Sequence, residues 1–367
     1  MRLERTIWKR RRRRDAHSLA VESRSSVAAC LTLASDRAQR KGGGGNMDAP
    51  GKSAGLVAIL LLQLMGCGSA AVAQPSATPL ELVVLGSGGP GATGRAASSY
   101  LVLIDGVARI LIDAGPGSFA RLGESKISLA HTDIVLLTHL HIDHAGELPG
   151  LFKARAVSSS GPIVFKVFGP DGSQAQAHGA YFPSTQQLLD LLFGPQGAFA
   201  YLRDFSAPVT IQAHDIPARV SMNAVPRVVF KDGAFTITAI AGHHGDAPAV
   251  MYRIDCAGRS VTFSGDVDAK GLPNLLKIAK ASDLLVFNSA VLDPPGSPAI
   301  LYTLHTAPHA IGELARQAGV HGLLLSHLSP ATEGMHQAVL ESIRRTYSGP
   351  VSWAEDGMRL QPPSSGP

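Results

Sequence analysis

The sequence is poor in cysteine, with three in 367 residues, at positions 30, 67 and 256. Two of them precede the cleavage site argued below, so the mature chain keeps Cys256 alone and cannot close an internal disulfide. No apolar run is long enough for a membrane anchor: Ala54–Met65 spans about twelve residues, where a bilayer needs roughly twenty. Aromatic residues make up only 5%, and the formal charge of +5 is unevenly placed. Residues 1–73 hold 13 Lys/Arg and 5 Asp/Glu, whereas residues 74–367 hold 20 and 23, a net of −3. A slightly acidic body with few stacking rings and no basic stripe excludes a surface that tracks nucleic-acid phosphates. The turn Gly86–Gly91 lacks the Walker lysine and the full dinucleotide spacing. It reads as a tight turn near a site, ahead of a phosphate loop.

Residues 1–46 carry the arginine run Arg10–Arg14 and a Gly42–Gly45 tract, with too few large apolar residues to build a core. The pattern changes at Met47. Lys52, the apolar stretch Ala54–Met65 and the small residues Ala71-Val72-Ala73 compose a secretory signal peptide, residues 47–73. Met47 is therefore the expected initiator, with residues 1–46 upstream of the translated protein; the alternative is a disordered basic leader. Leu64-Met65-Gly66-Cys67 resembles a bacterial lipoprotein processing site, which makes lipidation at Cys67 the alternative to cleavage after Ala73. Both place the body, residues 74–367, in the periplasm or outside the cell, with no stable span left after cleavage.

The body shows no repeat and no long linker, so one domain is expected. Strands are predicted at Leu80–Leu85, Ser99–Ile104, Arg109–Ile112 and Asp133–Leu137, then at Phe235–Ala241, Ala249–Ile254, Ser260–Phe263, Leu323–Ser326 and Val351–Ala354. Helices are predicted at Ser184–Phe193, Pro308–Ala318 and Met335–Tyr347. A β-rich stretch followed by mixed β/α occurs twice, which suits two sheets packed face to face with helices outside. Residues 181–205 hold six of the twenty aromatics, including Tyr181, Phe182, Phe193 and Phe199. They form either a lid over an apolar substrate group or an inserted element packed on the core.

The decisive run is Thr138-His139-Leu140-His141-Ile142-Asp143-His144, with four metal-ligand side chains in six residues. On an extended backbone His139 and His141 face one side, while Leu140 and Ile142 face the core. The turn after Asp143 brings a carboxylate and a third imidazole alongside. Imidazole nitrogen and carboxylate oxygen are donors that zinc accepts; manganese or iron can occupy the same set. His131, His178, His214, His309, His321 and His336 belong to no motif and are expected at the surface or at helix ends.

The HxHxDH run resembles the signature of the metallo-β-lactamase superfamily, and the downstream order resembles its ribonuclease Z and arylsulfatase-like branch, over roughly residues 80–360. The resemblance implies an α/β fold, a four-layer αββα sandwich. It implies that His244 of His243-His244-Gly245-Asp246, Asp266 of Ser264-Gly265-Asp266 and His327 of Ser326-His327 complete the ligand set. His139, His141 and His244 would hold one Zn2+, Asp143, His144 and His327 a second, and Asp266 would bridge them. Such a pair acidifies a shared water to hydroxide and clamps the attacking and leaving oxygens. Asp143 would orient the hydroxide or take its proton, and His305 would serve proton transfer or bind developing charge. Asp113 resembles the buried aspartate that supports a ligand histidine, with a turn-capping aspartate as the alternative. Asp268 reads as a turn residue.

Two departures matter. Ribonuclease Z carries a long arm for transfer RNA after the third histidine, whereas only 21 residues separate His244 from Asp266 here. Ribonuclease Z also has a His-Glu pair where this chain has Phe287-Asn288, which leaves His305 a weaker proton donor. True β-lactamases generally carry cysteine or histidine at the Asp266 position. The expected function is hydrolysis of a small ester, whether phosphodiester, aryl sulfate, lactone or thioester. A β-lactam or lactone hydrolase and a non-catalytic metal- or ligand-binding module are the alternatives. The expected partner is a small-molecule substrate, not nucleic acid, and a homodimer is compatible.

Overall fold

The computed structural model describes residues 80–363 apart from 92, 174–180 and 206. All of these belong to one compact unit, Ala71–Pro367. The signal peptide, the leader, Cys67 and His178 lie outside the described residues.

Among the described residues, fourteen strands build two seven-stranded sheets. The first contains β1 (Leu80–Gly86), β2 (Ser99–Ile104), β3 (Val107–Ile112), β4 (Ile134–Leu136), β5 (Ile163–Pro170) and β6 (Val209–Ile216). The second contains β7 (Arg227–Lys231), β8 (Phe235–His244), β9 (Ala247–Cys256), β10 (Arg259–Phe263), β11 (Leu284–Asn288), β12 (Leu323–Ser326) and β13 (Val351–Trp353). The last strand, β14 (Arg359–Leu360), returns to pair with β1 at the edge of the first sheet. Within each sheet, strands adjoin in chain order apart from that return.

Period-two alternation explains the layering. Leu82 and Val84 enter one cluster that also holds Ile237, Tyr252 and Phe263, so this cluster is the seam between the sheets. Their neighbours Val83 and Leu85 enter a second cluster with Leu122, Leu148, Phe152 and Phe193, on the outer face of the first sheet. A third cluster joins Met251, Leu285 and Leu325 of the second sheet to Leu275, Ile311, Leu314 and Val339. The helices are α1 (Ser118–Ser125), α2 (Ile142–Ala145), α3 (Leu148–Val157), α4 (Thr185–Phe193), α5 (Leu272–Ile278), α6 (Pro308–Ala318) and α7 (His336–Arg344), and all but the single turn α2 supply those outer residues. Three apolar seams among four layers make the αββα sandwich that the resemblance implied. Strands buried on both faces read as continuous apolar runs, which is why β1 and β2 stand out in the sequence.

Residues 153–234 depart from expectation. Beside the predicted helix α4, capped by Ser184 and Gln187 in a reciprocal box, they supply β5, β6 and β7. β6 and β7 are edge strands with mostly half-exposed or exposed residues. Their sequences, VTIQAHDI and RVVFK, lack the long apolar run that marks a central strand. The aromatics of residues 181–205 divide: Phe193 and Phe199 pack on the outer core, whereas Tyr181, Tyr201 and Phe205 are exposed.

Candidate metal centre

Every predicted ligand sits at the carboxyl end of a strand. His139 to His144 follow β4, His244 closes β8, Asp266 follows β10 and His327 follows β12. Backbone contacts set the first group against the second sheet: Val250 donates its N–H to the Thr138 carbonyl at 2.7 Å, and Tyr252 Oη donates to the Leu137 carbonyl at 3.0 Å. Glycines permit the close approaches. A Cβ on Gly89, in the turn after β1, would lie 2.7 Å from the His327 ring. Gly265 turns at φ +55° against Thr138 and so presents Asp266. Asp113 and His327 themselves adopt left-handed φ values of 53° and 55°, a strained conformation that concentrates at functional sites.

The seven side chains converge. His139, His141 and His244 form one group able to hold a cation, and Asp143, His144, Asp266 and His327 form another. Asp266 is central: its Oδ2 lies 3.5 Å from His244 Nε2, 3.7 Å from His144 Nε2 and 3.9 Å from His139 Nε2, and its Oδ1 lies 3.3 Å from His327 Nε2. Asp143 Oδ2 is 3.2 Å from His327 Nε2. His305 closes the ring, with Nδ1 at 4.0 Å from Asp266 Oδ2, and also forms a possible donor group with His244 and Asp266.

Buried His139 Nε2, His144 Nε2, His305 Nδ1 and His327 Nδ1 have no hydrogen-bond partner among the described residues. Buried polar atoms are otherwise almost always satisfied. Donor nitrogens orphaned around a buried carboxylate fit a divalent cation, which supplies the missing partner. The electrostatics of His139, His141 and Asp266 agree. Burial, with the positive potential of His144 and His244, drives the His139 imidazole well below its usual range, toward the neutral form that binds metal. Burial lowers His141 too. Burial pushes the Asp266 carboxyl upward, but His327, His144, His305 and His244 outweigh it and hold the group well below the carboxylate range. Burial opposes charge on His144, yet Asp113 and Asp266 win and raise it well above 6.5.

Supporting contacts orient the donors. Asp113, 1% exposed, takes His144 Nδ1 at 2.7 Å and accepts from the Thr138 N–H at 2.7 Å and its hydroxyl at 2.8 Å. It therefore orients the His144 ring and is more than a turn cap. His244 donates Nδ1–H to the Leu304 carbonyl at 2.7 Å, next to His305. His243 points away and pairs with Asp268 at 2.7 Å, so His244 is the residue that faces the centre.

One expectation needs correction and one is extended. Ile142 does not face the core; it is 75% exposed. His141 is the last extended residue and the N-cap of α2, so the alternation that buries Leu140 against the core has ended. Asp268 does cap its turn, accepting the Lys270 N–H, but it is also the buried partner of His243. Asn288 was seen only as a missing carboxylate; its amide donates to Asp266 Oδ1 at 2.7 Å. The motif-less histidines behave as expected where described. His309 and His336 sit at the starts of α6 and α7, His214 stacks on Phe168, His321 pairs with Asp283 and His131 is exposed.

The family profile of the metallo-beta-lactamase superfamily matches residues 92–277, just over half of the chain. The chain belongs to the metallo-beta-lactamase superfamily. As a member it is a hydrolase, and its clustered histidines and aspartates are able to bind metal. It is 27% identical to ribonuclease Z of Mycobacterium avium (strain 104) over 303 residues, covering 77% of this chain and 98% of that protein. Among solved structures it resembles the metallo-beta-lactamase fold protein YhfI from Bacillus subtilis, with a TM-score of 0.58, 22% identity and coverage of 77% of this chain and 99% of that one. It also resembles the short form of human tRNase Z, with a TM-score of 0.55, 22% identity and coverage of 77% and 100%. At such identity these two likenesses speak to the superfamily fold alone.

Proposed function

We propose that the chain hydrolyses a small ester-type substrate (phosphodiester, aryl sulfate, lactone or thioester) at a centre of two zinc ions, outside the cytoplasm. One observation carries this reading: a fully ringed carboxylate, Asp266, faces four imidazole Nε2 atoms within 3.9 Å, with partnerless nitrogens directed inward. His139, His141 and His244 are the proposed ligands of one ion, Asp143, His144 and His327 of the other, with Asp266 between. When bound, the pair supplies an acidified water and positive charge against developing oxyanions.

The chain's own residues do the rest. Asp143, 7% exposed and beside His327, orients the attacking water and accepts its proton. Burial pushes the His305 imidazole down to about 4, so in the bare protein it is neutral at pH 7. It hydrogen-bonds the leaving oxygen as a neutral donor. The hairpin from β9 to β10 turns through Ala257 and Gly258, both at positive φ, and has no inserted arm. Transfer RNA is therefore outside the proposed substrates. The signal peptide read at residues 47–73 supports an extracytoplasmic site of action.

The test is a panel of chromogenic esters, assayed after chelation and after zinc is restored. Turnover of at least one class is expected on metal return, and Asp266→Ala is expected to lose both the second ion and activity. A protein with two bound ions per chain and no turnover across the panel overturns the reading.

A further inference from the structure

Resting on that hydrolase reading, we propose that the mouth of the centre is built for an apolar group, so that the preferred ester carries an alkyl or aryl chain rather than a nucleotide. Exposure of the donors locates the mouth. Six of the seven proposed ligands are buried, and His141 alone is half-exposed. A substrate therefore reaches the centre on the His141 side.

Large apolar side chains gather there. Ile142, held between His141 and Asp143, is 75% exposed. The Phe182 ring stands with its centroid 6.5 Å from that of His141, tilted by 48°. Tyr181, next to it, is 59% exposed, with its hydroxyl donating to Gln187 at 2.9 Å. Single apolar residues scattered over a surface carry no message, because every protein shows them. Ile142 adjoins the half-exposed His141 in the chain and the Phe182 ring stands beside its imidazole; apolar groups so placed have a common use: they remove from water whatever part of the substrate adjoins the reacting bond.

The lip is also held in place. Phe182 and Ser173 exchange backbone hydrogen bonds at 3.1 and 3.2 Å, and the reciprocal cap of α4 begins two residues later at Ser184. Ile142 is the first residue of α2, fixed by the same turn that positions Asp143 and His144. The bordering residues Leu140, Ile142, Tyr181, Phe182 and Pro183 include no lysine or arginine. Among these described residues a phosphate chain meets no lysine or arginine, whereas a hydrocarbon chain meets matching apolar groups.

The experiment uses zinc-loaded protein and two readouts. The first is kcat/KM for p-nitrophenyl acetate, butyrate, hexanoate and octanoate. The second is calorimetric binding of octanoate and acetate, which needs no turnover. Full burial of a methylene is worth up to about fourfold in binding, so octanoate is expected to exceed acetate at least tenfold in both readouts, chiefly through KM. Ile142→Asn and Phe182→Ala are each expected to shrink that ratio about threefold or more, at unchanged metal content. Met222→Ser, a control at an 80%-exposed position between β6 and β7, leaves the ratio alone. Turnover of short esters with no chain-length preference in either readout overturns the apolar lip and leaves the hydrolase reading standing. Tighter octanoate binding that depends on Ile142, without turnover of these four esters, supports the lip and leaves the hydrolase reading to the panel of phosphodiesters, aryl sulfates, lactones and thioesters. Neither turnover nor preference overturns the lip.

Discussion

The amide of Asn288 reaches across from the end of β11 and donates to Asp266 Oδ1 at 2.7 Å, in a site where Asp266 is 3% exposed and Asn288 4%. This bond fixes which carboxylate oxygen faces His327 and which faces the other imidazoles. Removing the donor with Asn288→Ala leaves the carboxylate free to rotate. Metal affinity is expected to fall on the order of tenfold, the usual effect of losing a contact behind a ligand. Competition against a chromophoric zinc chelator measures it; an unchanged affinity would show that Asp266 needs no orienting partner.

His243 and Asp268 form a second brace, one residue from His244 and two from Asp266. The imidazole meets the carboxylate at 2.7 Å, and the Asp268 N–H donates to the His243 carbonyl at 2.9 Å. The pair ties the end of β8 to the loop after β10. His243→Ala is expected to weaken zinc binding several-fold while leaving the melting temperature of the metal-free protein within about 2 °C, less than the shift of a 1 kcal/mol loss. His243→Asn, which keeps a donor near the Nδ1 position, should recover most of the affinity. A parallel fall in the stability of both forms would mark the pair as plain scaffolding.

Gly89→Ala tests steric limits. Its Cβ would meet His327 Cε1 at 2.7 Å and Nδ1 at 2.9 Å, with the Leu328 carbonyl holding the Gly89 N–H at 3.2 Å. The ring must move, so loss of the second ion is expected, with about 1–3 kcal/mol of overpacking cost. Elemental analysis showing two ions per chain in the variant would refute this.

Metal removal should lower thermal stability, because a cation binds the folded donor set far better than the unfolded chain. The melting temperature is expected to rise with free zinc concentration. A melting curve indifferent to zinc from nanomolar to millimolar levels would count against any structural ion at these residues.

Much of this was legible beforehand because the ligands combine rare residue types with strand ends. Leu323–Ser326 and Pro308–Ala318 were read to the residue, since apolar runs of four and amphipathic runs of eleven leave little choice. The contacts behind the ligands were harder to see. Asn288, Asp268 and Gly89 lie far from the HxHxDH run in sequence, and each works through a partner supplied by another strand or loop. Ile142 was misassigned because a two-residue alternation was extended one step beyond the strand. The edge strands β6 and β7 were overlooked because half-wet backbone does not demand an apolar sequence.

Four of the proposed ligands descend from the first sheet and three from the second, with the seam cluster between them. A chain in which either half has mispaired therefore offers an incomplete cage and keeps no ion. On the proposed two-zinc reading, retained metal would serve as a certificate of correct assembly, issued only once both halves of the sandwich have met.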